Sequence, residues 1–148
     1  MKWTTHLSRI QAELAPDQWP VEDVALIAIH DRSRSPPDHR SVPEARGWRD
    51  VIYLAFDDVT GHIPGYVAPS ADDARKIVDF IEQHRDRPIV AHCEAGISRS
   101  AAVCRLLQDL GWEYQQPHDL GLSLANRLLY SHLRNVLVVG GVLHQGTA

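Results

Sequence analysis

The sequence predicts an α/β fold, a largely parallel central sheet flanked by helices on both faces. Three compact apolar runs carry the prediction: "DVALIAI" (Asp23 to Ile29), "DVIYLAF" (Asp50 to Phe56) and "PIVA" (Pro88 to Ala91). Helical patterns lie between and after them. Strands that read as continuous apolar runs are buried on both faces, and their alternation with helices is the mark of parallel connections.

The first run is followed by "DRSRSPPDHRSVPEARGWR", rich in Arg, Pro and Ser. Because another apolar run follows it, this segment reads as a long loop rather than a linker. It carries Arg32, Arg34, Arg40, Arg46 and Arg49 against Asp38 and Glu44, either a solvated loop or a basic rim that recruits a ligand. Between the second and third runs, Ser70 and Asp73 have the spacing of a capping box. Ala74, Ile77, Val78 and Ile81 then repeat at helical spacing, which predicts a helix buried on one face. The stretch from Ala101 to Leu110 is apolar nearly all round and stops at Gly111, so it reads as a central helix with a glycine terminator. A further helix is expected from about Leu122 to Leu133, and residues 135–148 carry no assignable pattern. Trp3, Trp19, Trp48 and Trp112 are expected as core or rim aromatics, with Trp48 as a candidate to line a pocket.

Composition narrows the function classes. With 148 residues, 44% hydrophobic and 23% charged, the chain suits one domain over residues 1–148. It has no apolar run near the roughly 20 residues of a membrane span, and its N-terminal stretch lacks the apolar core of a secretory signal. A cytoplasmic protein with no membrane association is expected. The formal net charge of −4 offers no basic footprint for nucleic acid. Cys93 and Cys104 are too few for a disulfide framework and are expected as free thiols. The histidines show no metal-ligand spacing of the HExxH kind, so no metal or cofactor is implied.

In open parallel sheets, ligands sit beyond the carboxyl ends of the strands. His30, Asp31 and Arg32 fall there after the first run, Asp57 and Asp58 after the second, and "HCEAGISRS" (His92 to Ser100) after the third. A loop running from a strand end into a helix N-terminus points several backbone N–H groups into one concavity, where the helix dipole adds positive charge. An anion fits such a place. Ala95 and Gly96 let the backbone curl around it, Gly96 with a positive φ if needed. Arg99 can offer two parallel donors to a phosphoryl group. The same positive surroundings stabilise a thiolate, which makes Cys93 the attacking group. Ser100 can hydrogen-bond the sulfur when it departs, and His92 would orient the loop from behind. Glu94, at the mouth, would disfavour substrates with several phosphates. Cys104, inside the apolar helix, reads as a small buried hydrophobe.

"HCEAGISRS" resembles the His-Cys-five residues-Arg-Ser signature of cysteine-dependent protein phosphatases, and most of all the small dual-specificity and bacterial tyrosine-phosphatase-like group. The order "VIYLAFDDV", helix, "PIVAHCEAGISRSAAV" resembles that group's acid loop, helix, phosphate loop and central helix from about Asp50 to Leu110. The resemblance implies a protein-tyrosine-phosphatase-like fold with Cys93 as nucleophile, Arg99 as phosphate clamp and Ser100 in a catalytic supporting role. Glu94, Ala95, Gly96, Ile97, Ser98 and Arg99 would form the phosphate-binding cradle, with His92 behind it. The family's general acid is an Asp after the preceding strand, and its usual register matches Asp58, with Asp57 the neighbouring candidate and Asp31 the next.

The expected activity is metal-independent hydrolysis of phosphotyrosine, and of phosphoserine or phosphothreonine, in a phosphorylated protein or peptide through a phosphocysteine. A non-protein phosphomonoester such as a lipid headgroup, nucleotide or RNA 5′ end is the alternative. Sulfur transfer would call for an active loop one residue shorter. A phosphopeptide-binding module without turnover would be expected to lack the Cys, the Arg or the acid, and all three are present.

Overall fold

The computed structural model describes residues 2–32 and 46–140. The elements run β1 (Trp3–Ser8), α1 (Arg9–Gln18), β2 (Ala25–His30), β3 (Asp50–Ala55), α2 (Ala71–Gln83), β4 (Ile89–Cys93), α3 (Arg99–Asp109), β5 (Glu113–Tyr114) and α4 (Arg127–Gly140). The strands form one sheet in the order β3-β2-β4-β1-β5, and every pairing is parallel. The α/β class with a parallel sheet and helices on both faces is thus the observed one.

Alternation along the strands divides the core in two. Ala25, Ile27, Ile29, Ile89 and Ala91 point to the side covered by α2, α3 and α4. Leu26, Ala28 and Val90 point to the other, where they meet Ala15 of α1, Val21 and Trp48. Trp48 belongs to this core rather than to a pocket wall. Its ring meets Trp19 edge-on at 5.6 Å, and Trp19 meets Trp3 at 5.7 Å.

The capped helices form where the sequence places them. Ser70 caps α2: its hydroxyl accepts from the Asp73 N–H at 3.1 Å, and the Asp73 carboxylate accepts from the Ser70 N–H at 3.0 Å. Ala74, Ile77, Val78 and Ile81 are all buried. α3 starts at Arg99, two positions before the expected Ala101, and Gly111 beyond its end has φ of 105°. There the Trp112 N–H donates to the Leu107 carbonyl, closing the helix as a left-handed glycine allows.

Three features differ from expectation. The last helix starts at Arg127 rather than near Leu122, because Asn126 is its cap and accepts from the Leu129 N–H at 2.9 Å. It runs on through residues 135–140 of the segment without a readable pattern, while 141–148 lie outside the described residues. β1 and α1 had no sequence expectation at all. β1 is a central strand although Thr4, Thr5 and His6 are polar, because each side chain finds a tertiary partner: Cys104, the Gln115 carbonyl and the Gly96 carbonyl. Residues 33–45, most of the arginine-rich loop, also lie outside the described residues. Arg46 at its end pairs with Asp17 at 2.9 Å, on the surface. Among the described residues no helix is long and apolar enough to cross a membrane.

Candidate active site

The carboxyl ends of β2, β3 and β4 converge on one edge of the sheet. β4 ends on Cys93, the loop 94–98 follows, and α3 begins at Arg99. Cys93 is 2% exposed, with its sulfur 3.1 Å from the Ser100 hydroxyl. Arg99 is 4% exposed, a charge held inside the protein at the positive end of a helix. Two acceptors offset part of that cost: Nη1 donates to the Asp31 carboxylate and to the Phe56 carbonyl, each at 2.8 Å. Its Nε is buried with no hydrogen-bond partner. A buried donor without a partner costs about 1–3 kcal/mol, and such groups mark places where something else completes the bonding. Asp31, the third candidate acid, here anchors the arginine.

The start of α3 lacks a side-chain cap. Ser98 stands at the cap position of α3 but its side chain makes no capping hydrogen bond. Its hydroxyl instead donates to Asp58 at 2.7 Å. Gly96 has φ of 74°, and a Cβ there would lie 2.4 Å from the Ser8 nitrogen and 2.5 Å from the Leu7 carbonyl carbon. Glycine is therefore required because the loop presses on the end of β1. On the same side, the Arg9 N–H donates to the Glu94 carbonyl at 3.2 Å. The Glu94 carboxylate, expected to bear on the mouth, pairs with Arg9 at 3.2 Å on the surface. Ala95 is exposed, and Ile97 and Ser98 are half-buried.

Asp57 and Asp58 have different surroundings. Asp57 is 2% exposed; its carboxylate accepts from the Arg32 N–H at 2.9 Å and the Val67 N–H at 2.7 Å. It ties the end of β3 to the end of β2 and to the returning loop. Asp58 is exposed, and one oxygen accepts from the Ser98 hydroxyl and from Asn126 Nδ2 at 2.8 Å. Asn126 also donates to the Val59 carbonyl at 3.1 Å, and its N–H donates to the Ser98 carbonyl at 3.0 Å. One buried amide thereby joins the aspartate loop, the loop after Cys93 and the start of α4. The sequence reading missed Asn126, although an Asn just before a helical pattern is a recognisable cap.

Histidines line the rear of the loop. His92 is buried on the α1 face of β4, with Nδ1 3.4 Å from the Cys93 carbonyl and its ring edge-on to His30 at 5.4 Å. His6 of β1, also missed, is 1% exposed and contacts the Gly96 carbonyl through Nδ1 at 2.7 Å. Burial is the main cause holding its pKa below the usual 6.5, with the nearby His118 adding to the lowering and the Gly96 contact opposing it. Cys104 sits inside α3 beside Thr4, and burial pushes its thiol up to about 12, as suits an inert core residue. Among the described residues no cluster of three His, Cys, Asp or Glu side chains is placed to hold a metal.

Parts of this chain are similar to known proteins. Residues 51–108, from β3 to the last turn of α3, match a family model described as "Polymorphic toxin system, DSP-PTPase phosphatase". A protein of Dictyostelium discoideum, named a probable dual specificity protein phosphatase, is 37% identical over 75 residues, covering 47% of this chain. The matched part spans 19% of that relative's length. Among solved structures, a DUF442 protein from Shewanella putrefaciens CN-32, provisionally called a phosphatase, aligns with a TM-score of 0.52 at 17% identity. That alignment covers 92% of this chain and 85% of the other, a likeness of fold.

Proposed function

We propose that this chain, which over residues 51–108 resembles the cysteine-based protein tyrosine phosphatases, is a metal-independent phosphatase that hydrolyses phosphotyrosine, and phosphoserine or phosphothreonine, in proteins. The observation that carries the reading is Arg99: a buried guanidinium at the head of α3, anchored through Nη1 and left with an unpartnered Nε, six positions after a cysteine that ends a strand. A phosphoryl group bound there would satisfy that donor and neutralise the charge.

In the first step the Cys93 thiolate attacks phosphorus, an S–P bond forms and the P–O bond to the leaving group breaks. Asp58 delivers its proton to the departing oxygen. In the second step the Asp58 carboxylate takes a proton from water, the water oxygen bonds to phosphorus, and the S–P bond breaks. Ser100, 3.1 Å from the sulfur, donates to it as negative charge returns. Arg99 and the N–H groups of residues 94–99 supply the positive charge that stabilises the transferring group in both steps. Asp57 acts as a brace for the acid loop rather than as an acid, in keeping with the two backbone N–H groups it binds. The substrate is a phosphorylated protein or peptide, and the site of action is the cytoplasm.

The test is phosphate release from a panel of phosphotyrosine, phosphoserine and phosphothreonine peptides, phosphoinositides, nucleotides and 5′-phosphorylated RNA, with a chelator present throughout. Turnover of the peptides, phosphotyrosine foremost, is expected. Preference for a lipid or nucleotide would replace the protein substrate, and no release from any member would overturn the phosphatase reading.

A further inference from the structure

The loop after Cys93 is held from behind by a group of side chains that the reaction above does not use. Gly96 is buried, and its carbonyl oxygen lies 2.7 Å from His6 Nδ1 and 3.2 Å from His118 Nε2. The other nitrogen of His6 lies 2.8 Å from the Tyr114 hydroxyl. The His6 ring stacks parallel to Tyr114, with 6° between planes, and meets His118 edge-on at 5.2 Å. A carbonyl oxygen can only accept, so both imidazole nitrogens facing it carry protons. With His6 neutral, its Nε2 is then an acceptor and Tyr114 the donor. The Gly96 carbonyl thus fixes a proton on Nδ1, and the ring also lies within reach of the Gly121 backbone.

The consequence follows from the planarity of the peptide. The Gly96 carbonyl and the Ile97 N–H belong to one trans peptide unit and point in opposite directions. Fixing the oxygen toward His6 fixes the N–H away from it, on the opposite side of the loop. Were the unit to rotate, the oxygen would face the anion and repel it. Gly96 has the conformational freedom to permit that rotation.

We propose that His6, backed by Tyr114, is a positioning residue of the phosphate loop, holding the Gly96–Ile97 peptide so that the Ile97 N–H faces the bound phosphoryl group. The proposal rests on the phosphatase reading for its effect on turnover, and on anion binding for its direct test. His6 is supplied by β1 and Tyr114 by β5, while Cys93 and Arg99 come from β4 and α3. The interior strand β1 and the edge strand β5 thereby act on the site without touching substrate.

The experiment uses the full chain and two readouts: kcat/KM on an aryl phosphate, and the concentration of inorganic phosphate that half-protects Cys93 from iodoacetamide, followed by mass spectrometry. His6→Phe should lower kcat/KM by ~10²-fold and raise the half-protecting concentration by ~10-fold or more, as loss of an oriented donor to an oxyanion does. Alkylation without phosphate should stay within about 3-fold of wild type, since the thiol's own neighbours are untouched. His6→Asn, whose amide can donate from about the position of Nδ1, should restore protection to within about 5-fold. Tyr114→Phe, which keeps the ring and removes the proton donor to His6, should weaken protection by ~3- to 10-fold. A purely structural role would lower the unfolding midpoint while leaving half-protection of the folded protein unchanged, and that result overturns the proposal. If His6→Phe does not fold, Tyr114→Phe decides in the same way. Should the wild type release phosphate from no substrate while phosphate still protects Cys93 in a His6-dependent manner, the phosphatase reading falls and the positioning role stands. Absence of protection in the wild type overturns the positioning role.

Discussion

The two cysteines, one at the end of β4 and one inside α3, make a contrast. Cys93 lies just before the head of α3 and Cys104 in its interior; both are buried, and each sulfur is near a hydroxyl, Ser100 at 3.1 Å and Thr4 at 3.3 Å. Burial and a hydroxyl neighbour therefore do not make a nucleophile. What differs is the next shell. Around Cys93 stand the uncapped start of α3, a loop turned by Gly96 and a guanidinium with a donor to spare. Around Cys104 there is a packed apolar helix, where burial drives the thiol up to about 12. Donors and charge surround the first sulfur and apolar packing the second, which is why the proposed nucleophile is Cys93 and Cys104 is read as a core residue.

Exchange of the sulfur breaks the contrast most completely. Cys93→Ser is expected to abolish turnover while vanadate binding survives, because the cradle and Arg99 remain. More than a trace of phosphate release would end the covalent mechanism. Cys104→Ser should leave kcat/KM within a few-fold of wild type on the same assay.

The next largest effect separates the neighbouring aspartates. Asp58→Ala is expected to slow phosphotyrosine hydrolysis by roughly 10²- to 10⁴-fold, with a smaller loss on an activated aryl phosphate whose leaving oxygen needs little proton donation. Asp57→Ala removes a buried acceptor of two backbone N–H groups, so it should destabilise the loop by about 1–3 kcal/mol without that leaving-group dependence. Finding the dependence in Asp57→Ala instead would move the acid by one residue.

Arg99→Lys comes third. Lysine keeps the charge but not the fixed fork, and it would have to serve both the Asp31 and Phe56 acceptors and the phosphoryl group with one flexible ammonium. A loss on the order of 10²-fold in kcat/KM is expected. Near-normal kinetics would place the clamp on another side chain.

How much of this could be read in advance depended on where each residue finds its partners. The stretch from β3 to α3 was legible because its signals are local: apolar runs, the Ser70–Asp73 cap, the Gly111 stop and a Cys–Arg spacing. β1 was not legible, because Thr4, Thr5 and His6 are satisfied by groups roughly a hundred positions away, which no pattern window reaches. α1 hid behind Pro16 and a weak apolar face, although Ser8 and Gln11 form a capping box at readable spacing. Asp57 and Asp58 look alike in the sequence for a related reason. Their difference lies in Arg32, Val67, Ser98 and Asn126, all brought in by the fold. β5, two residues long, exists because it lies beside β1, and it carries Tyr114 to His6.

The smallest expected effect sharpens the contrast from the side of Cys104. Cys104→Ala removes a fully buried sulfur and its contact with the Thr4 hydroxyl, also fully buried, and should destabilise the protein by about 1–3 kcal/mol at neutral pH. The difference should depend on pH in one direction. In the unfolded chain the thiol ionises near 9.0, whereas in the folded protein it holds its proton up to about 12. Its folded pKa is raised, so its contribution is complete below 9.0 and is lost as pH climbs from there toward about 12. The unfolded state gives up a proton in that window and the folded state does not, which favours unfolding by ~1.4 kcal/mol per pH unit at the steepest. Alanine has nothing to ionise. Urea midpoints for wild type and Cys104→Ala should therefore converge between pH 9 and 11, a range chosen from the thiol's two values. Subtracting one curve from the other removes the titrations both proteins share. A gap that stays constant across the range would mean that the Cys104 thiol ionises as readily inside α3 as in the open chain, and the distinction between the two cysteines would then have to rest on access and not on charge.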